Sequence, residues 1–130
     1  MVDLATLTGA CVVALGNETA GLFSNDDALK DELIEASKQS FEPVWHLPIN
    51  NDHKEAIKGD YGDISNTGKT RGYGGASTAA AFLLSFVEKD TKWAHLDIAG
   101  PAMAKGPKPP ICGDQTGFGA GLLLNFLDKK

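Results

Sequence analysis

Two short apolar runs that end in small residues constrain this chain more than any other feature. They are Val2-Asp3-Leu4-Ala5-Thr6-Leu7-Thr8-Gly9-Ala10 and Trp93-Ala94-His95-Leu96-Asp97-Ile98-Ala99-Gly100. Both are too short for a buried helix, and glycine halts each, which predicts strands that finish in tight turns. Helical patterns lie between them, so α/β layering is expected rather than a helix bundle. Ligands of such folds meet the chain where strands end, which makes the residues after each run the first place to look for a site.

Past Gly9, Ala10 to Leu15 suits a short helix closed by Gly16. Ala20 to Phe23 reads as a brief strand. Asn25 or Asp26 can cap a helix in which Leu29, Leu33, Ile34 and Ala36 recur at helical spacing as far as Ser37. Phe41 to Pro48, punctuated by Pro43 and Pro48, is expected as a loop carrying Trp45. A polar helix fits Asp52 to Lys58, a glycine-rich loop Gly59 to Gly75, and a strong helix Ala76 to Val87. Gly100 to Gly113 reads as a Pro/Gly/Lys-rich loop, and Thr116 to Leu127 as the closing helix. Because Met1 leads straight into what reads as a buried central strand, the chain is expected to be a segment of a larger domain.

Composition removes several partner classes. Lys and Arg total 12 against 17 Asp and Glu, a formal charge of −5, with no basic stripe, so nucleic acid is not an expected partner. No apolar run approaches the ~20 residues that cross a bilayer, and no basic n-region precedes the first one. Neither a membrane partner nor a secretory signal is expected. Cys11 and Cys112 lack CxxC or Cys/His spacing. A disulfide stays open, but two reduced thiols are the simpler reading and fit a cytoplasmic location.

The chemistry-bearing residues form no complete set. Gly68-Lys69-Thr70 has the tail of a phosphate-binding loop, yet Asp63 stands where that motif needs glycine. A flexible loop is the better account than nucleotide binding, and Gly117 to Gly121 likewise lacks the full dinucleotide fingerprint. His46, His53 and His95 have no metal-ligand spacing. His95, inside an alternating strand, is expected as a packed, hydrogen-bonded imidazole, and the other two as loop or surface residues. Asp97 could bind a cation or orient a backbone group, and the second reading is better because a lone carboxylate is a poor divalent site. Asp63, Ser65 and Asn66 read as loop-fixing side chains. No G-x-S-x-G elbow is present.

An ordered series of segments nevertheless resembles the leucyl (cytosol) aminopeptidase family. It runs through Asp3-Leu4-Ala5-Thr6-Leu7-Thr8-Gly9-Ala10, Gly21-Leu22-Phe23-Ser24-Asn25, Trp45-His46-Leu47-Pro48 and Gly62-Asp63-Ile64-Ser65-Asn66-Thr67-Gly68. It continues through Thr78-Ala79-Ala80-Ala81-Phe82-Leu83, the run from Trp93 to Gly100, and Thr116-Gly117-Phe118-Gly119. The resemblance implies a three-layer α/β/α fold with part of a mixed central sheet. It makes residues 1–130 the C-terminal segment of the aminopeptidase catalytic domain.

The implied activity is release of N-terminal amino acids from peptides by two divalent ions (zinc, manganese or magnesium), which act as Lewis acid and source of the nucleophile. The family's metal-binding segments, including Asn-Thr-Asp-Ala-Glu-Gly-Arg, lie upstream of Met1, so no catalytic or metal-ligating residue is assigned here. What carries over is a substrate cradle. Thr6, Leu7, Thr8 and Gly9 match the peptide-holding strand end, where the backbone of Leu7 and Gly9 would hydrogen-bond an extended peptide. Thr67, Ala99 and Ala102 match positions lining the pocket for the substrate's first residue, and small residues at 99 and 102 leave space for a leucine-sized side chain.

The implied partners are peptide substrates, the upstream part of the same catalytic domain, and further copies in a homo-hexamer. His46 and Gly121 stand where many relatives carry arginine, and the loop Lys105 to Pro110 is individual. Alone, the chain is not expected to be an enzyme. The alternative from another class is a non-catalytic binding or assembly module derived from the same fold.

Overall fold

The computed structural model describes residues 1–69, 72–103 and 114–128. Thr70, Cys112 and the expected loop from Lys105 to Pro110 lie outside them. The elements run β1 (Val2–Ala5), α1 (Gly9–Leu15), β2 (Ala20–Ser24), α2 (Asp27–Ser40), β3 (Val44–His46), α3 (Asn51–Ala56), α4 (Gly75–Leu84), β4 (Ala94–Asp97) and α5 (Ala120–Asp128).

The strands form one sheet in the order β1-β4-β2-β3. β1 is parallel to β4 and β3 to β2, whereas β2 and β4 are antiparallel, so the sheet is mixed. Every residue of β4 is buried, as are the first four of β2. Strand alternation divides their side chains between two cores. Leu22, Ala94 and Leu96 pack with Leu29, Leu33, Leu122 and Phe126 beneath α2 and α5. On the other face, Phe23 and Trp93 pack with Cys11, Ala76 and Ala80 of α1 and α4. The result is the expected three-layer α/β/α arrangement.

Several boundaries differ from the sequence expectation. Among the described residues β1 lies at the edge of the sheet, its residues partly buried. The stretch expected as a loop around Trp45 contains β3, three residues that pair with Ala20 to Leu22. The closing helix begins at Ala120 rather than Thr116, because Thr116 is held by Pro101 (Oγ1 to O, 2.6 Å). The helix after the glycine-rich loop ends at Leu84, short of Val87.

Local chemistry fixes the helix ends. The Asp26 carboxylate accepts from the Leu29 N–H at 2.8 Å and meets Lys92 at 3.1 Å. These contacts, the backbone one foremost, hold its carboxyl below the ordinary range. His53, expected on a loop or the surface, closes a capping box on α3: its Nδ1 accepts from the Asn50 N–H while Asn50 Oδ1 accepts from the His53 N–H.

Helix α5 is capped from a distance. Phe41 leaves α2 in the left-handed region (φ 57°), and the turn aims Glu42 at the start of α5. There the carboxylate accepts from the N–H groups of Gly119 (3.0 Å) and Leu122 (2.5 Å). Hydrogen bonds to a charged group contribute about 1.5–3 kcal/mol. Glu42→Ala should therefore cost roughly 2 kcal/mol in a urea melt of the chain. Glu42→Gln, which keeps one acceptor oxygen, should lose less than half of that. Equal losses would mean that packing rather than the cap is at work.

Candidate functional site

β1 and β4 are parallel with Ala5 opposite Asp97, so the two expected strand-end segments emerge side by side. Pairing continues one step beyond the strands, where the Ile98 N–H donates to the Ala5 carbonyl at 2.9 Å. The turn after β1 then folds around the fully buried Asp97. Asp97 Oδ1 accepts from the N–H groups of Leu7 (3.0 Å), Thr8 (3.4 Å) and Ala99 (3.2 Å). Its Oδ2 accepts from the Thr8 hydroxyl at 2.7 Å. The same hydroxyl accepts from the Cys11 N–H at 3.0 Å, which makes Thr8 the N-cap of α1.

Cys11 is a free, buried thiol whose Sγ lies 3.7 Å from the Asp97 carbonyl oxygen. Burial first, then the charge on Asp97, pushes its pKa up to about 11. It is a poor nucleophile at neutral pH and belongs to the packing of α1 on the sheet.

A second carboxylate ties the same two strands. Asp3 accepts from Trp93 Nε1 at 2.6 Å and from His95 Nδ1 at 2.5 Å. His95 is fully buried with its ring stacked on those of Phe23 and Trp93, and its Nε2 has no partner among the described residues. Asp3 carries no role that spacing or motif makes legible in the sequence. The available signal was a charge inside an otherwise apolar run.

The structure brings Leu7, Thr8 and Ala99 together on Asp97, with Thr6 and Gly9 flanking them in the same turn. Ala102 joins through its N–H, which donates to the Ile98 carbonyl at 2.9 Å, and its own carbonyl accepts from Thr116 at 3.1 Å. Thr67 is exposed and lines a cavity of about 350 Å³ with Asn66, Gly68, Tyr73 and Thr78, in which neither Ala99 nor Ala102 takes part. The link between the two places is α4: Gly68 abuts Thr78, and Gly75 abuts Ala10 at the start of α1. A wider apolar groove of about 710 Å³, lined by Ile34, Phe41, Val44 and Trp45, lies beside β3 at the other end of the sheet from β1.

Among the described residues no group of three or more His, Cys, Asp or Glu could hold a metal ion. Asp97 and Asp3 are engaged by N–H and O–H donors. The described residues therefore offer no site for a pair of divalent ions. No helix among the described residues is long and apolar enough to cross a membrane.

Residues 1–124 match the family model described as the cytosol aminopeptidase family, catalytic domain. A probable cytosol aminopeptidase of Chlorobaculum tepidum is 54% identical over 129 residues, which cover 98% of this chain and 25% of that protein. One from Acinetobacter baylyi is 50% identical over 130 residues, covering 100% and 26%. Among solved structures, a mutant of tomato leucine aminopeptidase superposes with a TM-score of 0.89 at 40% identity, over 99% of this chain and 24% of that one. The chain thus spans about a quarter of the length of the relatives it matches.

Proposed function

The chain belongs to the cytosol aminopeptidase family, and we propose that it forms the peptide-holding part of a metal-dependent aminopeptidase. One observation carries this reading: how the turn from Leu7 to Gly9 uses its polar groups. The N–H groups of Leu7 and Thr8 are consumed by Asp97. The Leu7 carbonyl and the Gly9 N–H have no hydrogen-bond partner among the described residues. An acceptor and a donor two residues apart at a strand end can hold an extended peptide by its main chain, whatever its side chains. In this reading Ala99 and Ala102 form the small apolar wall that receives the first side chain, while Thr67 stands apart from it in the cavity beside α4.

The two divalent ions (zinc, manganese or magnesium) would be held by the part of the relatives that this chain does not span, and would supply Lewis-acid activation of water. The proposal includes a homo-hexameric assembly, and a cytoplasmic location, which the relatives' name of cytosol aminopeptidase supports.

A hybrid tests the reading. In it, this chain replaces the matching quarter of the Chlorobaculum tepidum relative. With manganese or zinc added, the hybrid should release leucine from a leucyl tripeptide at a rate within about tenfold of the parent (~1.4 kcal/mol per tenfold). A folded, metal-loaded hybrid without turnover would overturn the proposal. If such a hybrid still bound the tripeptide, the non-catalytic binding module would take its place.

A further inference from the structure

The shape of the cradle depends on one buried carboxylate. Asp97 is fully buried, and no Lys or Arg pairs with it among the described residues. Its burial is offset instead by four donors, three of them backbone N–H groups. All four lie beyond the strand ends. The bonds of the β1–β4 register, prolonged by Ile98 to Ala5, already hold the two strands together, so Asp97 is not needed for that task. What it fixes is the turn from Leu7 to Thr8 against Ala99. Through the Thr8 hydroxyl it also fixes the first turn of α1, and with it the direction of the Gly9 N–H.

We infer that Asp97 is a positioning residue. It sets the Leu7 carbonyl and the Gly9 N–H at a fixed separation from Ala99, so that a peptide's main chain and its first side chain are received in one geometry. The inference rests on the peptide-holding reading above.

The test compares two substrates in the hybrid enzyme. A leucyl tripeptide offers further backbone to the main-chain pair, whereas leucine p-nitroanilide has no backbone beyond its scissile bond. Asp97→Ala should lower the ratio of kcat/KM for tripeptide over p-nitroanilide by tenfold or more. Asp97→Asn keeps an acceptor oxygen for the N–H groups and offers an N–H to the Thr8 hydroxyl, so its ratio should stay within threefold of the unmodified hybrid. A residue that merely stabilises the fold would lower both substrates together, so an unchanged ratio in folded Asp97→Ala overturns the inference. Should Asp97→Ala fail to fold, Thr8→Val decides. It removes one of the four donors and should lower the ratio at least threefold, and no change overturns the inference. An unmodified hybrid that shows no preference for the tripeptide places the fault in the peptide-holding reading itself, and removes the basis of this one.

Discussion

Gly100→Ala should cost the chain about 3 kcal/mol or more, enough to lower its melting temperature by many degrees. A Cβ at this position would stand 2.2 Å from the Gly16 carbonyl oxygen and 3.3 Å from the Gly16 carbonyl carbon and Asn17 Cα. These are backbone atoms, so no rotamer change relieves the contact. Nor can Gly16 readily give way. It closes α1 at φ 74°, and its N–H is spent on the Val12 carbonyl at 2.8 Å. The turn after β4 therefore rests directly on the end of α1, and separating them would disturb the helix that begins at the cradle. Gly9→Ala is the matched control. Nothing lies within 4 Å of a Cβ there, and the melting temperature should be unchanged or slightly higher. Equal melting temperatures for Gly100→Ala and the unmodified chain would show that the two turns do not touch.

The sequence was most legible where local chemistry decides local structure. Asp26 capping α2, Gly16 ending α1 and the alternation through β4 each depend on residues a few positions apart. β3 was hidden because three residues between prolines carry no periodicity, and only pairing with β2 makes them a strand. The site divides in the same way. That Asp97 orients backbone rather than binding a cation could be argued from its solitude. Which groups it orients could not, because Leu7 and Thr8 lie about 90 residues away and meet it only through the β1–β4 register. The cap that Glu42 places on α5 spans 77 residues to Gly119 and left no mark that periodicity could read.

Peptide holding depends above all on the main-chain pair of Leu7 and Gly9 in the proposed function, and Gly9→Pro in the hybrid enzyme removes one half of that pair. Gly9 is the first residue of α1, where proline is well tolerated. The preceding Thr8 is extended, at φ −138° and ψ 138°, as a residue before proline must be. The substitution thus removes one N–H and leaves the fold in place. A substrate acceptor left without its donor costs about 1–3 kcal/mol, or roughly fivefold to 150-fold in kcat/KM. Gly9→Ala keeps the N–H. That loss is expected for a leucyl tripeptide with Gly9→Pro, and a change within threefold with Gly9→Ala, both proteins melting near the unmodified temperature. A Gly9→Pro hybrid that is folded, metal-loaded and as active on the tripeptide as the unmodified one would contradict the peptide-holding role of the pair.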